Sequence, residues 1–388
     1  MNYILFDNSR QQLMPFTLSR PVCEIRVGIL TIKQKWELYL NASCSYECEL
    51  YLQAKYPKLT ASDNVYINAT VFPDADLVAA IKNLKIGEAL IWEGNILALR
   101  TSDTISNTTS ILTTEYKKPV SSISHIWHIF GMCDEQLRAD FTLLTAGRNS
   151  LQLNSSNRLV GDTDDLFIEE GATVNCAIIN TQTGPVYIAK EAEVMEGAMI
   201  RGPFALGEHA TLKMGAKIYG ATSIGPHCKV GGEVSNSVFF GFSNKAHDGF
   251  VGNAVIGEWC NLGADSNNSN LKNNYGNVKV YDYASQNMVD TGLQFCGLFM
   301  ADHAKCAINT QFNTGTVVGF ASNVFGGDFP PKHIPDFSWG GAKGFEKFDL
   351  QKAIALAKNV YARRSMTLTD ADIAIFEAIN EMAKNTKG

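Results

Sequence analysis

Residues 186–230 read VYIAKEAEVMEGAMIRGPFALGEHATLKMGAKIYGATSIGPHCKV, and their spacing decides the fold. Ile188, Val194, Ile200, Leu206, Leu212, Ile218, Ile224 and Val230 recur every sixth position without a miss. Neither a 3.6-residue helix nor a two-residue strand alternation produces that period. It is the hexapeptide repeat: each aliphatic residue points into a narrow prism, the small and polar residues between turn a corner, and three hexads close one triangular coil. Coils stacked at about 4.8 Å place each inward aliphatic over another, so the column forms a core that one coil could not make alone.

Outward from this stretch the phase shifts by two after Val230, with Phe250, Ile256 and Leu262 as the next series. An insertion is expected at the corner holding Asn244-Lys245-Ala246-His247-Asp248-Gly249, followed by an irregular polar loop from Asp265 to Gly276. Such loops on a rigid scaffold are where function concentrates. The hexad returns at Met300, Cys306, Phe312, Val318 and Val324, and is expected to end at Gly326-Gly327 and Pro330-Pro331. Beyond it, Asp349 to Lys384 reads as two amphipathic helices that could cap the open end, the second opened by a Thr369/Asp372 capping box.

Upstream, Tyr3-Ile4-Leu5-Phe6 is a short buried-type strand leading into the polar turn Asp7 to Gln12, while the surroundings of Cys44 and Cys48 read as helical. Ile126, Phe130, Cys133, Leu137, Phe141 and Leu144 share one face of a helix over Ser124 to Thr145, as expected of a docking helix. The divisions are 1–120, 121–160 (connecting helix and linker), 161–327 (solenoid) and 328–388. At 388 residues, 45% hydrophobic and 19% charged, the composition is that of a globular protein, with no stretch that reads as a signal peptide or membrane span. A cytoplasmic location is expected. Nine cysteines without a CxxC pair read as reduced, and no metal site is expected. A net charge of −6 gives no general attraction to nucleic acid or membrane, so an anionic ligand must meet a local basic cluster.

Two resemblances follow from particular residues. Asn8-Ser9-Arg10, Leu13-Met14-Pro15-Phe16-Thr17, Arg20-Pro21 and Arg26-Val27-Gly28 are similar to the opening of sugar-1-phosphate nucleotidyltransferases. That implies an α/β domain, with Arg10, Arg20 and Arg26 as nucleotide-binding residues and UTP with Mg2+ if the domain is active. The family's glycine-rich loop is replaced by Asp7-Asn8-Ser9-Arg10, so backbone NH groups approach a pyrophosphate less freely. Gly202-Pro203-Phe204-Ala205, Lys229 to Val234, Ser243 to Phe250 and Ile256 to Ala264 resemble the acetyltransferase half of the bifunctional N-acetylglucosamine-1-phosphate uridylyltransferase / glucosamine-1-phosphate acetyltransferase family.

This second resemblance implies a left-handed parallel β-helix, a homotrimer, and acetyl transfer from acetyl-CoA to the amine of glucosamine 1-phosphate or a related amino-sugar phosphate, coupled to formation of a UDP-sugar. It makes His247 the base, with Asp248 or Glu258 as its orienter. Asn261, Asn270, Lys213, Lys217 and Lys245 become candidates for the sugar phosphate, and Ala264, Lys272 and Lys279 for the coenzyme. A tyrosine of the family is Phe250 here. The alternatives are an acyltransferase with a non-catalytic first domain, a zinc carbonic-anhydrase-like solenoid using His209 and His227, which stack one coil apart, and an assembly scaffold.

Overall fold

A computed structural model describes residues 1–105 and 111–385. The chain opens with a six-stranded mixed sheet. Its strands are β1 (Asn2–Phe6), β2 (Cys44–Glu47), β3 (Asn64–Asn68), β4 (Glu88–Trp92), β5 (Asn95–Thr101) and β6 (Leu112–Glu115), in the order β2-β1-β3-β5-β4-β6. β1 lies parallel between β2 and β3, and β5 runs antiparallel to β3 and β4. Helix α1 (Ile32–Leu40) starts at a Thr31/Gln34 capping box and stops at Asn41, whose left-handed backbone ends it. Cys44 therefore lies in a strand rather than a helix, because the turn at Asn41 delivers Cys44–Glu47 alongside Tyr3–Phe6. Helix α2 (Ala75–Lys82) is capped by Asp74. The expected docking helix is two, α3 (Ile126–Gly131) and α4 (Cys133–Thr145), bent at Met132.

From Arg158 onward the chain is a parallel β-solenoid of three faces, each one strand per coil. The first face runs from Arg158–Val160 to Phe250–Gly252, the second from Leu166–Ile168 to His333–Ile334, and the third from Thr173–Val174 to Ser338–Gly341. Every hexad aliphatic from Ile188 to Val230 points inward in one apolar column system, joined by Met300, Cys306, Phe312, Val318 and Val324.

The phase shift after Val230 has a different cause from the expected insertion. Pairing sets Ile224 against Phe239 and Val230 against Lys245, fifteen residues apart where earlier coils use eighteen. Two of the three residues are lost at the Gly231-Gly232 corner, where Ile218 comes to pair with Val234, and the third between Val234 and Phe239. Glycine permits the first loss: a Cβ on Gly231 would lie 2.6 Å from the carbonyl oxygen of Ala246, and Gly232 has φ +69°. In consequence the inward residues are Val234, Phe239, Lys245 and Val251, and Phe250 faces outward. The true insertion is residues 269–296, carrying an antiparallel hairpin, Lys279–Asp282 with Asn287–Asp290. Past Gly326-Gly327 the solenoid resumes: Ile334 pairs with Val318 and is fully buried, and the final strand folds back as a hairpin with Gly344–Lys347.

The second face is covered by the N-terminal domain. Its outward residues Phe167, Tyr187, Val238, Phe240, Val255, Phe299 and Val317 share one buried cluster with Phe16, Phe130, Leu137 and Phe141. Ring pairs cross the junction, Phe16 with Phe240 at 5.3 Å and Phe130 with Phe299 at 6.1 Å. Helices α5 (Leu350–Ala362) and α6 (Asp370–Asn385) do not cap the open end; they lie along the edge between the second and third faces. A ladder of stacked rings runs up that edge, His209 on His227 at 5.0 Å, then Phe242 and Trp259, with Tyr361 of α5 stacked on Trp259 at 4.0 Å. Thr369 and Asp372 bond each other's backbone NH groups, as the capping-box reading requires. Among the described residues no helix is long and apolar enough to cross a membrane.

Candidate active site

Strand register builds a groove on the third face. On the third face Lys229 pairs with Asn244, Asn244 with Asn261, and Asn261 with Lys305. Each immediately precedes an inward residue, so all four side chains point outward in one column, two lysines bracketing two asparagines over roughly 14 Å at about 4.8 Å per strand. The end of α5 adds Arg363 and Arg364 on one side, and the corner after Lys245 adds His247 and Ala264 on the other. The groove holds about 650 Å3, and no carboxylate is among its lining residues.

The cations differ in how far they are spent. Arg364 is tied down, donating to the His227 carbonyl at 3.0 Å and to Asn244 Oδ1 at 3.2 Å. Lys305 is partly buried and donates to the His303 carbonyl at 2.8 Å, and burial pushes its ammonium down to about 8. Lys229 and Arg363 are exposed at the groove rim. An under-satisfied buried ammonium beside exposed cations favours an anionic ligand, because a phosphate would return the hydration that Lys305 has lost. His247 is exposed at the mouth, where its imidazole can accept a proton from a bound amine.

Of the sequence-derived candidates, His247, Asn261 and Ala264 meet in this groove. Asn270 lies outside it, over the first face, donating to Asn253 Oδ1 at 2.8 Å near Phe250 and Phe295. Lys217 is on the first face, 4.0 Å from Glu233, and Lys213 lies at the corner beside Gly231. Lys272 donates to the Asn277 carbonyl within the inserted loop, and Lys279 belongs to its hairpin. Lys245 points into the prism. Glu258 sits at the opposite corner of the third face and pairs with Arg20 at 3.3 Å, away from His247; Asp248 adjoins His247 in the chain. Lys229, Asn244, Lys305, Arg363 and Arg364 also line the groove and were not among the candidates. For the first three the signal was present, as the position before each inward third-face residue.

The arginines of the N-terminal domain are largely committed. Arg20 is buried and bridges to Asp302 and Glu258 of the solenoid, with its guanidinium 5.1 Å from the centre of the Phe240 ring. Arg26 donates to the carbonyls of Phe240, at 3.1 Å, and Ile29. Arg10 contacts the Tyr51 hydroxyl and lies 3.9 Å from Glu49. The loop that replaces the glycine-rich turn folds on itself, with Asn8 accepting from the Ser9 NH, and burial pushes the Asp7 carboxyl up to about 7. His209 and His227 are stacked as their spacing required, but the next rings in the column are Phe242 and Trp259, which ligate no metal. Among the described residues no group of three or more His, Cys, Asp or Glu could hold a metal ion.

Comparison with known proteins adds the following. Residues 3–149, which take in α3 and α4, match the sugar nucleotidyl transferase family model. No curated protein matches the chain. Among solved structures, a Bacillus cereus protein described as an acetyltransferase is 11% identical, covering 56% of this chain and 100% of its own, with TM-score 0.29. The polysialic-acid-specific acetyltransferase NeuO is 13% identical over 50% of this chain and 88% of its own, with TM-score 0.28. An Arabidopsis UDP-N-acetylglucosamine acyltransferase is 12% identical over 60% of this chain and 92% of its own, with TM-score 0.22.

Proposed function

We propose that the third-face groove transfers an acetyl group from acetyl-CoA to the amine of glucosamine 1-phosphate or a related amino-sugar phosphate. The observation that carries this reading is the meeting of His247 and Asn261 with Lys229, Lys305 and Arg363 in one groove free of carboxylates. Acetyl-CoA supplies an activated thioester. The chain's own residues do the rest: His247 takes the proton of the acceptor ammonium, Asn261 holds the acceptor, and the cations hold phosphate groups of donor and acceptor. The N-terminal domain is then a docking module whose nucleotidyl transfer with UTP and Mg2+ is weak, since Arg20 and Arg26 are engaged with the solenoid. A homotrimer fits the same reading, because the first face leaves Ile178 and Met199 exposed while the second is covered. The test is thiol release from acetyl-CoA in the presence of glucosamine 1-phosphate. Acceptor-dependent release supports acyl transfer, and its absence with every amino-sugar phosphate tried removes it.

A further inference from the structure

Of the nine parallel third-face strands, seven place an apolar side chain at the inward position and the last places Gly340; the remaining one places Lys245. Val174, Val194, Leu212 and Val230 precede it in the column, and Leu262, Cys306 and Val324 follow. Lys245 is 2% exposed. Taking an ammonium out of water is costly unless its donors are matched, and the hydrogen bond it makes is to one carbonyl, that of His247, at 2.7 Å. The side chain doubles back from the prism toward its own corner. There its ammonium fills the space over Gly232, where a Cβ would lie 2.7 Å from it. Asp248 and Asp265 are the charged groups that attract it, and the Cys306 thiol is the remaining titratable neighbour, while burial lowers its pKa to about 8. A leucine or valine would serve the core better, so stability does not explain the residue.

We propose that Lys245 is a positioning residue that fixes the 246–249 corner through the His247 carbonyl and so sets where the His247 ring stands at the groove mouth. The consequence rests on the acyl-transfer reading, but the contact itself does not. Lys245→Met in the full chain is the test. The amide of Asp265, which bonds the Asp248 carbonyl at 3.0 Å, should exchange with solvent at least tenfold faster, while the thermal midpoint stays level or rises. The acetyl-transfer kcat should fall about 10- to 100-fold with the KM for acetyl-CoA within twofold, as for a group displaced by an ångström or so. Wild-type exchange and kcat in Lys245→Met would overturn the proposal, and so would a lowered midpoint with kcat and KM untouched. Should Lys245→Met not fold, Lys245→Gln, neutral and too short to reach the carbonyl, is expected to reproduce the loosened corner; failure of both to fold makes the residue structural and overturns the proposal. If the wild-type protein transfers no acetyl group, the exchange measurement still decides the contact, so the two readings fail separately.

Discussion

Replacing Arg20 by methionine separates a structural from a nucleotide-binding role for this residue. Its guanidinium bridges Asp302, whose side chain is 4% exposed, and Glu258, which is 30% exposed. Removing one partner of a buried pair typically costs about 3–5 kcal/mol, because the other charge is left without compensation. Here Asp302 keeps two bonds, from the Ser19 hydroxyl and from the Glu258 NH at 2.7 Å, and Glu258 can turn to water, so the expected loss is about 3 kcal/mol. That corresponds to a factor of roughly 150 in the folding equilibrium. Urea unfolding followed by tryptophan fluorescence measures it. A double variant, Arg20→Met with Asp302→Leu, should recover most of the loss, since neither charge then remains buried alone. If Arg20→Met stays within about 0.5 kcal/mol of wild type, or if it weakens UTP binding without touching stability, the domain-junction assignment is wrong.

Arg363→Glu, on the rim of the groove, should raise the KM for acetyl-CoA about tenfold with kcat nearly unchanged, and 0.5 M salt should narrow the gap, because an exposed charge contact is screened; a KM equal to wild type at low salt would remove Arg363 from the donor site. Lys245 titrates near 8 in the folded protein, below its ordinary lysine value, so the folded state holds fewer protons than the unfolded chain between about pH 8 and 10.5. The charge is therefore destabilising below pH 8, and that cost is lost as pH rises; Lys245→Met should be more stable than wild type by up to about 3 kcal/mol at pH 7, with the difference shrinking toward pH 10. A pH-independent difference in urea midpoints would contradict this. Pyrophosphate release from UTP with N-acetylglucosamine 1-phosphate should be slow, and brisk turnover abolished by Arg10→Ala would show the N-terminal domain to be a full catalyst.

The solenoid was legible because a six-residue period has no other physical source, and the repeat from Ile188 to Val230 is unbroken. The C-terminal capping box was legible because its two partners are local. What escaped depends on counting coils. In a six-residue period a gain of two reads the same as a loss of four; only the strand pairing shows the loss, two residues at Gly231-Gly232, one between Val234 and Phe239 and one between Val251 and Ile256. Reading it as an insertion hid the inward phase of Lys245 and placed Phe250 in the core. The same count separates Lys217 on the first face from Lys229 on the third, although both are lysines next to an aliphatic residue. Arg20 escaped for another reason. A basic residue after a strand looks the same in sequence whether it awaits a phosphate or meets Asp302, 282 positions further on.

In the proposed function the imidazole of His247 does the chemistry, in a groove whose cations do the binding. Steady-state acetyl transfer by His247→Ala, with donor binding measured in parallel by calorimetry, tests it most directly. The expected result is a kcat lowered about 10²- to 10⁴-fold, the usual contribution of a positioned base, with the affinity for acetyl-CoA within twofold of wild type. Wild-type turnover by His247→Ala would contradict it.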